Sequence, residues 1–209
     1  MLNQLNDKLE IELTSKCALQ CPACARVIEA DNKQAWDAGH LTKEMLFRVC
    51  DNTNFHRYQF VGCYGDPIYH PDFLEICRYF LNAGKKIMVH TNASSKPEKF
   101  WKEASTMNWK GCIFTFSVDG LEDTNHIYRR NSKWKQIMTA IDYMVNIPKS
   151  FRPKLVWKFL VFPYNEHQVE EARELSKKLG FADFEAVESY RNPKVYAGVT
   201  TEELHNYVS

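Results

Sequence analysis

One stretch near the start of the chain decides the fold. It reads Leu9-Glu10-Ile11-Glu12-Leu13-Thr14 and continues, after two residues, with Cys17-Ala18-Leu19-Gln20-Cys21-Pro22-Ala23-Cys24. The first part alternates apolar and polar side chains with the period of two that is typical of a β-strand. The second part spaces three cysteines as C-x3-C-x2-C. The stretch therefore predicts a strand that carries three thiols on the loop at its carboxyl end.

The three cysteines are candidate metal ligands. A [4Fe–4S] cluster normally takes four cysteines, so a cluster held by Cys17, Cys21 and Cys24 would leave one iron open to a substrate or cofactor. A structural zinc site is the alternative, but it needs four ligands, usually as two pairs. The other cysteines are isolated along the sequence: Cys50, Cys63, Cys77 and Cys112. The spacing favours the open iron–sulfur site, and zinc with His40 as a fourth ligand stays open as a second interpretation.

The composition predicts one globular domain and excludes several classes of protein. The 209 residues fit a single domain, and a hydrophobic fraction of 44% supports a sizeable core. With 27 basic and 26 acidic residues, the chain lacks the basic field of a nucleic-acid binder. We expect a core over about residues 9–188 and a short C-terminal extension over 189–209, with a short helix beginning near Thr200-Thr201.

The sequence predicts neither a signal peptide nor a membrane span. Residues 1–8 contain neither the basic nor the apolar region of a signal peptide, and no stretch reaches the length of a membrane span. Together with the expectation of reduced cysteines, this predicts a cytoplasmic protein with no membrane partner.

Strand-like and helix-like segments alternate along the whole chain. The predicted strands are Leu9–Leu13, Arg57–Val61, Lys86–His90, Cys112–Val118, Leu155–Phe162 and Asp183–Val187. The predicted helices are Thr42–Cys50, Pro71–Leu81, Pro97–Thr106, Trp134–Val145 and His167–Leu179. Such alternation indicates parallel β/α units. Eight units close a barrel in about 250 residues, so this α/β chain is expected to form an open, partial (β/α)6 barrel.

Polar residues follow several of these strands, at the barrel end where β/α barrels carry their chemistry. The second strand leads into the turn Gly62–Pro67, and the third leads to Asn92. On the fourth strand, alternation separates the phenylalanines from Thr115, Ser117 and Asp119, which would face the barrel interior and need a partner or ligand. Taken singly, Gly62–Pro67 and Asn92 also suit an ordinary turn or cap.

Taken together and in this order, these features resemble the radical S-adenosylmethionine (SAM) superfamily. The cluster motif appears as Cys17-Ala-Leu-Gln-Cys21-Pro-Ala-Cys24, and the Gly-Gly-Glu-Pro motif appears in altered form as Tyr64-Gly65-Asp66-Pro67. The pair Thr91-Asn92 and the run Phe116–Gly120 resemble the branch of peptide-modifying and sulfatase-maturating enzymes. The resemblance extends from about Glu10 to Val187.

The resemblance implies an enzyme with a [4Fe–4S] cluster and SAM as cofactors. SAM would bind the open iron, and its reductive cleavage would give a 5′-deoxyadenosyl radical that abstracts hydrogen from a peptide, protein or small-molecule substrate. No catalytic residue is implied beyond the cluster and the SAM site. The implied SAM-binding residues are Gly65, Asp66, Pro67, Asn92, Ser117, Asp119, Arg129, Arg130, Leu160 and Phe162. Electrons would come from a flavodoxin- or ferredoxin-like partner, because the sequence has no second cysteine set.

The sequence departs from the family pattern at three points. Ala23 replaces the aromatic residue that usually precedes the third cysteine, so adenine packing would fall to Phe162 or Tyr164. Asp66 replaces the usual glutamate. The cysteine-rich extension of the related branch is missing, because no cysteine follows Cys112. Two other functions therefore stay open: a structural or redox-sensing metal protein, and a barrel that binds SAM without cleaving it.

Overall fold

The computed structural model describes residues 8–31 and 38–188, with side chains for 8–28 and 38–188. Six parallel strands form one sheet in which every strand pairs with the next strand along the chain. The strands are β1 (Lys8–Ile11), β2 (Arg57–Phe60), β3 (Lys86–Thr91), β4 (Ile113–Ser117), β5 (Lys154–Val161) and β6 (Asp183–Glu188). This sheet confirms the predicted open, partial (β/α)6 architecture, with strand bounds that differ by one or two residues.

Seven helices lie between the strands in the described part of the chain. They are α1 (Ala25–Asp31), α2 (Lys43–Asn52), α3 (Phe73–Asn82), α4 (Glu98–Ala104), α5 (Asn125–Tyr128), α6 (Trp134–Val145) and α7 (Val169–Leu179). Two 3₁₀ turns, Pro67–Tyr69 and Glu166–Gln168, complete the set. The five predicted helices are confirmed, whereas α1, α5 and both turns were not predicted; α5 has only four residues, too few to show a period.

The helix ends follow local sequence signals. The hydroxyl of Thr42 accepts a hydrogen bond from the amide of Met45 and caps α2. Helix α3 begins two residues after Pro71 and ends at Asn82, two residues before Gly84, which has a positive φ of 74°. Helix α7 ends at Gly180, whose φ of 93° suits a residue without a β-carbon.

A continuous apolar core lies between one face of the sheet and the helices. Strand residues such as Phe60, Phe114 and Trp157 pack with Phe80 of α3 and Ile141 of α6, and all five are at most 1% exposed. Alternate residues of the same strands therefore point away from the helices, into the open barrel. We call that second side of the sheet the inner face.

The predicted C-terminal helix near Thr200-Thr201 lies outside the described residues, so that prediction and the single-domain prediction stay untested. Within 8–31 and 38–188, no helix is long and apolar enough to cross a membrane.

Candidate active site

A cavity of about 240 Å³ opens at the carboxyl ends of the strands. Its wall includes Cys17, Cys21 and Cys24, the turn after β2, and inner-face residues of β3 to β6. Of the residues that the sequence singled out, six more line it: Gly65, Asp66, Asn92, Ser117, Arg129 and Leu160. Pro67, Asp119, Arg130 and Phe162 are not in this wall. The fold thus gathers at one place side chains that lie far apart in the sequence.

The three cysteines lie on a loop over residues 17–24, which we call the cysteine loop. All three thiols are free, Cys21 being buried and Cys17 and Cys24 partly exposed. The amide of Leu19 and the side-chain amide of Asn92 both donate to the Cys17 sulfur, at 3.4 and 3.5 Å. Three sulfur donors at one end of one cavity form a donor set that suits an iron–sulfur cluster.

Burial raises the pKa of two of these thiols, Cys17 and Cys21. Burial, with a smaller effect from the nearby Asp66 carboxylate, raises the pKa of Cys17 to about 12. Burial also raises the pKa of Cys21, although the guanidinium of Arg129 opposes this shift. Because metal ligands must be thiolates, a cluster that binds here has to displace these protons.

The zinc interpretation gains no ligand set from the described residues. His40 is not in the cavity wall; it forms a bridge with Thr14, and its ring lies edge-on against His70 at 5.1 Å. Within 8–28 and 38–188, no three His, Cys, Asp or Glu side chains are close enough to hold a single metal ion.

The turn after β2 is locked to the segment that precedes the cysteine loop. One carboxylate oxygen of Glu12 accepts hydrogen bonds from the amides of Tyr64 and Gly65, at 2.8 and 2.9 Å. A β-carbon at Gly65 would lie 1.8 Å from the carbonyl oxygen of Thr14, so only glycine fits this contact. The side chain of Arg26 completes the lock by donating to the carbonyls of Tyr64 and Leu19.

Asp66 organises the strand ends rather than exposing its carboxylate. It is 4% exposed and accepts from the hydroxyl of Thr91, the amide of Ile68, and both the backbone and the side-chain amide of Asn92. Burial raises the pKa of Asp66 to about 6, although these donors oppose the shift. Asp66 thereby fixes Asn92, which in turn contacts Cys17.

A buried ion pair supports the opposite wall. Asp119 is fully buried and accepts from Arg129 Nε at 2.5 Å and from the amide of Leu160 at 2.9 Å. Burial alone would lower the pKa of Arg129, but the Asp119 carboxylate and the Cys21 thiol raise it. Arg130 points elsewhere: its Nε is buried and has no hydrogen-bond partner among the described residues. Of the two predicted arginines, only Arg129 lines the cavity.

A small aromatic cluster lies beneath the cysteine loop. Phe162 stacks on Tyr164 with ring centres 5.5 Å apart, and it also packs against Tyr128 at 4.7 Å. Ala23, 4% exposed, belongs to the same cluster. The small side chain at position 23 thus packs over aromatic rings. Phe162 and Tyr164 do not line the cavity, whereas Tyr128 does.

Sequence reasoning missed several residues that shape this site. Glu12 has the sequence context of an ordinary polar strand position, and Arg26 lies in α1, a helix that the sequence patterns did not indicate. His90 and Lys158 line the cavity from the inner face. Only the alternation of β3 and β5 could have shown this, since polar residues on a barrel's interior need a partner.

The fold and this site together define an open (β/α)6 barrel with three cysteines gathered at the carboxyl ends of its strands. The family model described as the radical SAM superfamily matches residues 11–176. The chain belongs to the radical SAM superfamily, whose members are enzymes that bind a [4Fe–4S] cluster and SAM.

Solved structures share the fold. The SuiB protein of Streptococcus suis bound to S-adenosylmethionine has a TM-score of 0.67 and 13% identity, over 96% of this chain and 46% of that one. The structure titled native anSMEcpe with bound AdoMet has a TM-score of 0.61 and 16% identity, over 87% and 51%. TYW1 with a lysine–pyruvate adduct bound has a TM-score of 0.63 and 12% identity, over 91% and 68%.

Among curated proteins, the chain is similar to the tungsten-containing aldehyde ferredoxin oxidoreductase cofactor-modifying protein of Pyrococcus furiosus. The two are 24% identical over 124 residues, which is 57% of this chain and 32% of that protein. The chain thus spans about a third of this curated relative and about half of the SuiB and anSMEcpe structures.

Proposed function

We propose that this protein is a radical SAM enzyme that reductively cleaves SAM and uses the resulting radical to take a hydrogen atom from a separate substrate. The observation that carries the proposal is the presence of three free thiols in one cavity wall with the turn at Gly65 and Asp66. Family membership supports the same cofactors.

In this proposal Cys17, Cys21 and Cys24 hold a [4Fe–4S] cluster. When bound, the cluster and SAM supply the redox chemistry: one electron cleaves SAM to methionine and a 5′-deoxyadenosyl radical. The protein's own residues bind and orient. The backbone at Gly65 offers polar groups to the SAM amino group, and Ser117 with Arg129 receives its carboxylate.

The remaining residues set the position of these groups. Asp66 and Asp119 act indirectly, because each is buried and holds a residue of the cavity wall, Asn92 and Arg129 respectively. Leu160 is an apolar wall residue that is available to the adenosine, with Phe162 supporting the loop from below. Arg130 remains in the proposal only as a second arginine that could turn toward SAM.

For the substrate, a peptide or protein side chain is favoured over a small molecule. The structure of SuiB bound to the precursor peptide SuiA shares the fold of this chain, with a TM-score of 0.65. We propose a flavodoxin- or ferredoxin-like electron donor. Only three of the seven cysteines lie together in one loop, and the other four are isolated along the sequence, so they form no second set that could hold a further cluster. Free cysteines throughout also suit the reducing cytoplasm as the location.

The test is 5′-deoxyadenosine formation by anaerobically reconstituted protein supplied with SAM and a chemical reductant. The wild type should bind about four irons per chain and release 5′-deoxyadenosine. The variant with Cys17→Ala, Cys21→Ala and Cys24→Ala should do neither. Cys63→Ala is the matched control, because this exposed thiol lines the same cavity but lies outside the loop, and it should behave as the wild type.

Two outcomes would overturn the proposal. Protein prepared without oxygen that carries one zinc and no iron supports the structural metal site. A verified cluster with no 5′-deoxyadenosine above the triple variant leaves a structural or redox-sensing cluster.

A further inference from the structure

Lys158 is a cation on the inner face of the barrel with no partner among the described side chains. It lies on β5, is partly buried and lines the cavity. Its ammonium group makes no hydrogen bond or ion pair with any side chain of 8–28 or 38–188. The two arginines of the same wall differ from it: Arg129 is paired with Asp119, and Arg26 donates to backbone carbonyls. A partly buried cation with no partner is costly unless a ligand supplies the anion.

The neighbours of Lys158 do not neutralise it. In the sheet register its Cα partners are Ser117 on β4 and Glu185 on β6. Glu185 is exposed and forms no ion pair with Lys158 among the described residues. The nearest register positions on the inner face therefore leave room for an anion from outside the chain.

His90 adds a neutral polar group to the same region. It lines the cavity from β3 and pairs in register with Thr115, so it lies one inner-face row further from the cysteine loop than Ser117. Burial, then the charges of Lys158 and Lys8, lower the pKa of His90, while Glu10 opposes them. The positive charge of Lys158 thus acts on a group in the barrel interior, away from the cysteines.

We propose that Lys158 binds an anionic group of the substrate, a carboxylate or a phosphate, with His90 as a neighbouring hydrogen-bonding group. An ammonium group on a strand can receive either anion as a point charge. Substrates that carry such a group are selected over neutral ones. This inference rests on the proposed function, because it assigns the substrate class of the same cavity.

The test measures anion binding to the anaerobically reconstituted protein by calorimetry, with and without saturating SAM. The probes are inorganic pyrophosphate and malonate, one for each anion chemistry. Lys158→Met should weaken probe binding by about tenfold or more, and Lys158→Arg should keep it within roughly threefold. Lys158→Gln is a second neutral variant should the methionine disturb folding. Lys154→Met is the matched control, since Lys154 lies on the same strand but forms an exposed pair with Asp183 at 3.2 Å.

The outcomes separate this inference from the proposed function. Probe affinities that are equal in the wild type and in folded Lys158→Met or Lys158→Gln overturn it, as does a wild type that binds neither probe. If SAM affinity falls tenfold in these variants and probe binding occurs only without SAM, Lys158 holds the SAM carboxylate and not the substrate. Failure of SAM cleavage would overturn the proposed function, yet the titration without SAM would still report on Lys158.

Discussion

The two faces of β4 show how one strand serves stability and chemistry separately. Phe114 and Phe116 point toward the helices and are at most 1% exposed, and Phe114 packs edge-on against Trp109 at 4.9 Å. Between them on the strand, Thr115 faces the barrel interior, and Ser117 beyond lines the cavity. Apolar burial on one face stabilises the fold without depending on precise direction. The inner face contributes little apolar area and is free to hold polar groups for a ligand.

The largest expected effect comes from the helix-facing side. Phe114→Ala should lower the free energy of unfolding by about 3–5 kcal/mol, because it removes a buried ring and leaves a cavity. Thermal and urea unfolding measure the loss, and iron content of the folded fraction should match the wild type. A folded variant that loses its cluster would show that the two faces are not separable.

The ion pair between Asp119 and Arg129 is expected to have the second-largest effect on stability. Asp119 is buried within the fold, whereas Arg129 lines the cavity. Asp119→Asn should cost about 3 kcal/mol of stability, since it leaves the largely buried guanidinium of Arg129 without its counter-charge. Urea unfolding at neutral pH measures it. Asp183→Asn is the matched control: it breaks the exposed pair with Lys154 and should cost less than about 1 kcal/mol. Equal losses from the two variants would contradict the assigned role of burial.

Gly65 tests the lock between the turn after β2 and the segment that precedes the cysteine loop. Gly65→Ala should cost about 1–3 kcal/mol, as expected for overpacking, because the new methyl group meets the carbonyl oxygen of Thr14. It should also lower iron occupancy after reconstitution. Gly39→Ala is the control, because a β-carbon there meets nothing within 4 Å. Full iron occupancy in folded Gly65→Ala would show that the loop holds its shape independently.

The smallest effect is expected on the inner face of β4. Ser117→Ala should leave thermal unfolding unchanged and weaken SAM binding by about 1 kcal/mol, the value of one hydrogen bond. Equilibrium binding to the reconstituted protein measures it. A clear drop in stability with unchanged SAM affinity would reverse the roles assigned to the two faces.

The fold could be predicted from sequence because its signals are local and repeated. Alternation located all six strands to within one or two residues, and Thr42 and Gly180 marked helix ends through backbone chemistry that acts over three or four residues. Helix α5, four residues long, carries too few residues for a period and was missed.

The three thiols of the site could be predicted from the sequence, whereas the contacts between its other side chains could not. The spacing of Cys17, Cys21 and Cys24 is itself a local signal, and the structure brings all three to one cavity. That Asp66 is buried and that Arg129 is already paired depend on contacts with residues far along the chain. Sequence patterns carry no information on such pairings, so the arginine that lines the cavity could not be chosen in advance.

The strictly sequential order of the strands has a consequence for synthesis. Each strand can pair with its predecessor as soon as it leaves the ribosome, so the sheet can grow during translation. The cysteine loop emerges first, but two of its contacts, with Asn92 and with the carbonyl of Arg130, come much later. At roughly 5–20 residues per second, the nascent thiols wait several seconds without these supports, and metal loading is expected to follow synthesis of Arg130, which lies after β4.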